Sequence, residues 1–353
     1  MRLTPILALL FLAATASAHH SSNPHYDPNK PIALEGVVTG FKFVNPHAYL
    51  YFDVTNEDGT VTNWNCEMSA ASQLKRNGWS KELFAPGTKV SIDAIEARRD
   101  PQGCAFQSGT LEDGTRVTRN GPIERAAPAA AAAATAATSI PSDSTGIAGN
   151  WEPAPRQRRG GGGPPRGPRD FKLSAAGEAA SANYDSRYDD PAFACSPSSI
   201  MRVWGEPGMV NQIEVLDDEV IIRHGFMDTV RTIYLTDMKM PADYTPSLTG
   251  FSLGHFEGDE LVIETTGFAA GVLQPHAGGG NGGYLHSDKM QVTERLSVSE
   301  DGTQLLRSYA ATDPEYFASP YTGTNTYLRS QLPMSEYNCV ELSGATKVRP
   351  EGE

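Results

Sequence analysis

Residues 249–268, TGFSLGHFEGDELVIETTGF, decide the fold expected for the second half of the chain. Side-chain types alternate from Phe251 to Phe256, and residues 261–266 form a second run rich in β-branched types. Both patterns are typical of strands, in which successive side chains point to opposite faces. Residues 257–259 (Glu-Gly-Asp) supply turn chemistry between them, since glycine accepts positive φ without steric cost. The stretch therefore predicts an antiparallel hairpin.

Short strand patterns separated by polar turns continue on both sides of this hairpin. They lie at 211–216, 219–224, 229–235, 289–298, 304–311 and 324–331, and Asp217-Asp218 is a second hairpin signal. A Gly-x-Trp element ending at Trp151 resembles the entry strand of lipocalin-type barrels. About eight to ten sequential antiparallel strands predict a lipocalin-like meander that closes into a barrel or folds into a sandwich. We place this larger domain at residues 147–345.

The first half predicts a smaller β domain at residues 19–120. Strand patterns lie at 33–43, 48–54, 61–67, 89–97 and 105–111. A short helix is expected between the third and fourth strands, with Ser69 as its N-cap and Gly78 just past its end. Three strands, a helix and two strands are the order of an OB-like barrel. The expected fold class is therefore all-β, with a small OB-like barrel followed by a larger antiparallel barrel or sandwich.

Two segments have the composition of linkers or loops. Residues 121–146 contain a run of Ala, Thr, Pro and Ser that should connect the two domains. Residues 156–169 read RQRRGGGGPPRGPR, which could contact anions as a basic arm or form a solvated loop inserted in the second domain. We favour the solvated loop because the chain as a whole is acidic.

The first 18 residues have the anatomy of a secretory signal. Arg2 supplies the positive charge, residues 6–14 the apolar core, and Ala16-Ser17-Ala18 the small-residue cleavage site. We expect export to the periplasm or the medium, with the mature chain starting at His19. The apolar run is too short to span a bilayer, and no later segment approaches that length, so no transmembrane segment is expected.

Net charge and cysteine content narrow the function classes further. The formal charge is −13, which argues against nucleic acid as a main partner because phosphate binding needs a basic face.

Export would place the four cysteines in an oxidising compartment. Four cysteines allow three connectivities. We expect Cys66–Cys104 and Cys195–Cys339, the connectivity that keeps each bridge within one domain.

Two sets of motifs resemble uncharacterised families of exported bacterial domains. The first set comprises His19-His20-Ser21, Leu-Glu-Gly-Val-Val at 34–38, Asn-Pro-His-Ala at 45–48 and Arg-Asn-Gly-Trp at 76–79, and its resemblance covers residues 19–118. The second includes Gly-His-Phe-Glu-Gly-Asp-Glu-Leu-Val at 254–262, and its resemblance covers residues 146–342. Neither family implies an established activity. The resemblance implies export and two domains.

A concentration of histidines near the predicted mature N-terminus suggests a metal site. Four of the eight histidines, His19, His20, His25 and His47, lie in the first 47 residues. Cleavage after Ala18 would let the amino group and imidazole of His19 chelate one ion, with His20 or His47 completing the site. Nitrogen ligands of this kind suit Cu(II). The alternative is a frayed arm with surface histidines and a packed His47.

A second candidate group lies in the larger domain. His255, Glu257 and His286 could act as an acid–base set, because a histidine near a carboxylate can move protons. Arg231, Tyr234, Glu294 and Arg295 are candidates for ligand binding. No nucleophile elbow, phosphate loop or HExxH motif accompanies them. The alternative is a set of cross-strand ion pairs.

The leading interpretation is an exported, non-catalytic binding protein whose ligand is a small molecule or a metal, with Cu(II) at the mature N-terminus. One alternative is an enzyme with its active site around His255, Glu257 and His286. Another is an envelope-associated interaction module.

Overall fold

The structure, a computed structural model, describes residues 25–119, 121–125, 146–154, 168, 170–197, 199–205, 208–275 and 282–341. Strands make up 47% and helices 7% of these residues, so the predicted all-β class is confirmed. The predicted leader at 1–18, most of the linker at 121–146 and nearly all of the insert at 156–169 lie outside the described residues. No helix in the described ranges is long and apolar enough to cross a membrane.

The first half forms a small barrel. Its elements are β1 (Tyr26–Lys42), β2 (Tyr49–Thr55), β3 (Val61–Glu67), α1 (Ala71–Arg76), β4 (Lys89–Ala97), β5 (Gly103–Leu111) and β6 (Arg116–Thr118). The strand order is β3-β2-β1-β4-β5-β6, and a parallel pairing of β3 with β5 closes the ring. With a helix between β3 and β4, this is the OB-like arrangement that the sequence predicts.

Strand β1 is longer than its sequence pattern indicates, because it begins at Tyr26 rather than at residue 33. It pairs with both β2 and β4, and its register with β2 shifts between Val38 and Gly40. Gly36 is required by a close approach of β2: a Cβ at this position would lie 2.5 Å from the carbonyl oxygen of Asp53. The bulge and the glycine let one long strand curve around the barrel.

Helix α1 is capped differently from the prediction. Its N-cap is Ala70, which makes no side-chain cap, so the prediction of Ser69 as the N-cap is wrong. The amide oxygen of Asn45 instead accepts from the backbone N–H of Ser72 at 3.1 Å. A donor of the first helical turn is thus satisfied by a residue distant in sequence. Gly78 follows the helix with φ +83°, as expected.

The second half forms a larger closed barrel of nine strands. Its elements are β7 (Gly149–Pro153), α2 (Ala175–Ser181), β8 (Asn211–Val215), β9 (Glu219–His224), β10 (Thr229–Tyr234), β11 (Phe251–Glu257), β12 (Glu260–Thr266), β13 (Gly271–Gln274), β14 (Tyr284–His286), β15 (Gln291–Val298), β16 (Gln304–Thr312) and β17 (Tyr321–Arg329). Strands β13 and β14 form a separate two-stranded sheet. Both predicted hairpins, β8–β9 and β11–β12, are present. One pairing departs from the predicted antiparallel meander, because β10 and β11 run parallel.

The interior of the large barrel contains a polar layer between two apolar clusters. On β15 the buried side chains are Leu296 in the first cluster, Glu294, and Val292 in the second cluster. Other strands contribute buried polar side chains at the same level. We call this set the polar band, and it consists of Asn211, His224, Arg231, Ser252, Thr265, Glu294 and Arg307.

Two disulfides and a C-terminal segment tie the chain together. The bridges are Cys66–Cys104 and Cys195–Cys339, as predicted. Cys339 also forms an isolated parallel bridge with Asn45 of the small barrel, and the N–H of Val340 donates to the carbonyl of Asn45 at 2.8 Å. The segment 337–340 therefore contacts both barrels.

Candidate functional site

A buried carboxylate organises one end of the small barrel. Glu67, the last residue of β3, is 3% exposed. The hydroxyls of Tyr26 and Tyr49 each donate to its Oε2 at 3.0 Å. Burial, and then the negative charge of Glu67, raises the pKa of both tyrosines. Both phenols therefore remain protonated donors that fix the carboxylate.

His47 lies against the other oxygen of this carboxylate. Its Nδ1 is 3.3 Å from Oε1 of Glu67 and 3.2 Å from the carbonyl oxygen of Met68. Both neighbours are acceptors, so Nδ1 carries the proton and the basic lone pair of the ring is on Nε2. The side chain is 30% exposed. A histidine oriented by a carboxylate through one ring nitrogen is the usual arrangement of a metal-ligating imidazole.

The remaining predicted metal ligands, His19 and His20, lie outside the described residues. Within the described ranges, no group of three or more His, Cys, Asp and Glu side chains is placed to hold a metal ion. His25 is described, and its ring packs edge-on against Tyr26 with centroids 6.4 Å apart. Among the predicted metal ligands, the described residues therefore include one imidazole, that of His47, which a carboxylate orients.

The polar band of the large barrel is centred on a second buried carboxylate. Oε2 of Glu294 accepts from Nη2 of Arg231 at 2.7 Å, and Oε1 accepts from Nε of Arg307 at 2.8 Å. The indole N–H of Trp204 also donates to Oε1, at 3.1 Å. Burial alone would raise the pKa of Glu294, but the two arginines outweigh it and lower the pKa to about 2. The carboxylate is therefore ionised in the barrel interior.

Arg231 and His224 keep hydrogen-bonding capacity that the described protein does not use. Nη2 of Arg231 additionally reaches Ser252 and Thr265, but its Nε and Nη1 have no partner among the described residues. Nδ1 of His224 lies 2.8 Å from Oδ1 of Asn211, so it donates and Nε2 is an acceptor. Nε2 likewise has no partner among the described residues. Burial, and then the charge of Arg231, lowers the pKa of His224 well below 6.5, so the ring is neutral.

The other predicted site residues are dispersed. His255 and Glu257 lie 3.3 Å apart on the exposed end of β11, and Arg295 pairs there with Glu257 and Glu260. Tyr234 stacks on Phe251 with ring centroids 5.3 Å apart. Charged side chains at this end of the hairpin form a solvated ion-pair cluster. Of the four predicted ligand-binding residues, only Arg231 and Glu294 meet in the interior.

His286 lies outside the nine strands of the barrel, in the separate sheet of β13 and β14. It lies on β14, is buried, and its Nδ1 is 3.0 Å from the carbonyl oxygen of Ser287. Burial is the main cause that lowers its pKa. No hydrogen bond or ion pair within the described ranges joins it to His255 or Glu257. The predicted acid–base set of three residues is therefore not brought together.

Arg307 and Trp204, which both donate to Glu294, were not among the site residues predicted from the sequence. Arg307 follows the buried Leu305 by two residues on β16, so both side chains lie on the inward face of the strand. A charged residue at such an inward position is a sequence signal that could have indicated Arg307. Trp204 lies outside any strand, and its place against Glu294 depends on long-range packing. No local pattern indicates it.

One family model matches the N-terminal part of the chain. Residues 8–105 match the model of a family of unknown function (DUF6152). This match supports an uncharacterised domain in that region, which includes His47 and Glu67. No curated protein and no solved structure matches the chain.

Proposed function

We propose that the protein is an exported, non-catalytic Cu(II)-binding protein. In this proposal the amino group and imidazole of His19 chelate the ion at the mature N-terminus, and His47 supplies a further nitrogen from the small barrel, with His20 as an alternative ligand. The observation that carries the proposal is the orientation of His47 by Glu67 and the carbonyl of Met68.

The arrangement around Glu67 suits a support for a metal ligand. The carboxylate holds the proton of His47 on Nδ1, which leaves the basic lone pair of the ring on Nε2. Tyr26 and Tyr49 occupy the second carboxylate oxygen, which keeps the carboxylate from rotating. Second-shell partners of this kind typically contribute about 10–100-fold in metal affinity. In this proposal the protein holds the ion through nitrogen ligands and catalyses no reaction with it.

Cu(II) is the metal class that the donors favour. An N-terminal amine and imidazoles are nitrogen ligands, which suit Cu(II) better than the oxygen-rich sites that hold Ca²⁺ or Mg²⁺. Binding requires the imidazoles to be neutral and should weaken as the pH falls through the ordinary histidine range, about 6.5.

The test is a Cu(II) titration of the mature protein beginning at His19, followed by electron paramagnetic resonance and calorimetry. A matched form carries one extra alanine before His19. We expect one tightly bound ion in the first form and loss of that binding in the second. Equal or negligible binding in both forms would overturn the proposal.

Three variants separate His47 from other histidines. We expect His47→Ala and Glu67→Gln each to weaken binding by about 10–100-fold. His255→Ala, which changes an exposed histidine on the large barrel, should leave the affinity unchanged. Unchanged binding in His47→Ala together with loss in the alanine-extended form would restrict the site to the N-terminal residues and remove His47 from it.

A further inference from the structure

The polar band holds more positive than negative charge. Two guanidinium groups, Arg231 and Arg307, face the single carboxylate of Glu294, and all three side chains are at most 2% exposed. His224 is held neutral beside them. One buried positive charge is therefore left without a counter-charge among these residues. Buried charges in proteins are normally paired, because an unpaired charge in a low-dielectric interior is costly.

The excess charge coincides with the unused hydrogen-bonding atoms. Nε and Nη1 of Arg231 offer N–H donors, while Nε2 of His224 offers one acceptor, and none of these atoms has a partner among the described residues. Strand pairing places Thr229 opposite His224 and Arg231 opposite Ile222. Arg231 and His224 are therefore diagonal neighbours on the inward face, about 7–8 Å apart between Cα atoms.

The uncompensated positive charge and the acceptor atom without a partner together define the ligand that the polar band could bind. A water molecule can accept from the guanidinium and donate to the imidazole, but it leaves the charge uncompensated. A simple anion compensates the charge, but it brings no donor for the lone pair of His224. A small oxyanion that carries one hydroxyl satisfies Arg231 with its negative oxygens and His224 with its O–H.

We propose that the polar band of the large barrel binds one small, singly charged oxyanion bearing a hydroxyl group, with hydrogencarbonate as the smallest member of the class. In this site the guanidinium of Arg231 donates to the negatively charged oxygens of the anion, and Nε2 of His224 accepts from its hydroxyl group. Glu294 and Arg307 position Arg231, since Glu294 receives both guanidinium groups. Ser252 and Thr265 hold Nη2 of Arg231 from the side of β11 and β12. The site lies in the other barrel from His47 and does not depend on the proposed function.

Nitrate is a matched probe for the hydroxyl, because it is a planar anion of similar size and equal charge that lacks the O–H. The experiment titrates the full mature chain, without copper, with sodium hydrogencarbonate or sodium nitrate at about pH 8 and constant ionic strength. The readout is the ¹H–¹⁵N resonance of the Arg231 Nε–H group, assigned by its loss in Arg231→Lys. Chloride at the same ionic strength is the baseline.

We expect a saturable shift of the Arg231 resonance with hydrogencarbonate and at least about tenfold weaker binding of nitrate, since one buried hydrogen bond is worth roughly that factor. His224→Asn keeps a donor toward Asn211 but removes the Nε2 acceptor, so it should abolish the preference. Equal binding of the two anions by the unmodified protein would overturn the hydroxyl recognition. No shift with either anion would overturn the site and leave the polar band a structural ion cluster.

The titration of the unmodified protein decides the main point even if a variant fails to fold. Should Arg231→Lys not fold, a crystal of the unmodified protein soaked in hydrogencarbonate answers the question directly, as density in contact with Arg231 and His224. Density fitted by water alone would contradict the proposal.

Discussion

Arg76 of the small barrel and Glu152 of the large barrel form a two-point ion pair, with Nη1–Oε1 at 3.1 Å and Nη2–Oε2 at 3.2 Å. Nε of Arg76 also donates to the carbonyl oxygen of Gly208 at 3.0 Å. On the other side, Oε2 of Glu152 accepts from Ser330 at 2.6 Å. One arginine of α1 thus reaches two separate segments of the large barrel.

This pair should couple the stabilities of the two barrels. In a double-mutant cycle of Arg76→Ala and Glu152→Ala, we expect a coupling of about 0.5–1 kcal/mol in the free energy of unfolding, because both side chains are about three-quarters shielded from solvent. Urea unfolding measures it. Lys81 and Glu82 are a matched control, since that pair is exposed and 3.9 Å apart, and its coupling should be near zero. Strictly additive effects at Arg76 and Glu152 would show that the contact carries no stability.

Loss of the central carboxylate should be costly. Glu294→Gln keeps the shape of the side chain but leaves two buried arginines without a negative partner. We expect a loss of about 3–5 kcal/mol in the free energy of unfolding, measured by chemical denaturation near neutral pH. Glu264→Gln, on exposed β12 surface, should change stability by no more than about 0.5 kcal/mol. Similar small effects in both variants would contradict the account of the polar band.

Acidification should destabilise the protein through His224. Its pKa in the folded state is lowered below the value of 6.5, first by burial and then by Arg231, so the unfolded chain binds a proton that the folded protein does not. Its contribution to stability is therefore complete above about pH 6.5 and falls by about 1.4 kcal/mol per pH unit below it, until the folded pKa is reached.

The slope can be assigned by substitution. Urea unfolding at about pH 7.5, 6 and 5 should show a steeper decline for the native chain than for His224→Asn. His286 adds a decline of the same sign, because burial also lowers its pKa. His255→Asn, on the exposed end of β11, should retain the native slope. If His224→Asn retained it as well, the imidazole would have to be protonated in the folded protein.

The two disulfides should differ in their accessibility to reductant. Cys66 and Cys104 are almost fully buried in the small barrel, whereas Cys195 and Cys339 are half-buried. Without denaturant, dithiothreitol should therefore reduce Cys195–Cys339 first. Alkylation followed by mass spectrometry of the peptides measures the order. Simultaneous reduction of both bridges would indicate that reduction proceeds through global unfolding.

Local chemistry made the hairpins predictable from the sequence. Glu257-Gly258-Asp259 and Asp217-Asp218 each connect two antiparallel strands, because turn residues and alternating side chains act over a few neighbours. The parallel pairing of β10 with β11 was not predictable in this way. It brings together Ile233 and Ser252 across a connection with no strand signal of its own, and tertiary packing decides it.

The same distinction applies to the candidate sites. Arg231 and Glu294 were recognisable as unusual charges in strand patterns, but their meeting depends on β10 and β15 lying on one closed wall. Likewise, Asn45 caps α1 at Ser72 because the barrel folds, and no motif near Ser72 encodes it. His47 was recognisable by type, whereas its orientation by Glu67 required the pairing of β2 with β3.

The pairing of β7 with β17 sets an order of folding events during synthesis. β7 is the first strand of the large barrel and β17 the last, and Trp151 lies opposite Arg329 in their ladder. The barrel cannot close until residue 329 has been synthesised. Until then, the edge of β7 that pairs with β17 has no partner strand. The last strand of the small barrel ends at residue 118. Most of its strands pair with strands that are closer in sequence than β7 is to β17. The small barrel is thus expected to fold first. Until synthesis of the large barrel is complete, its unpaired strand edges are open to pairing with other chains.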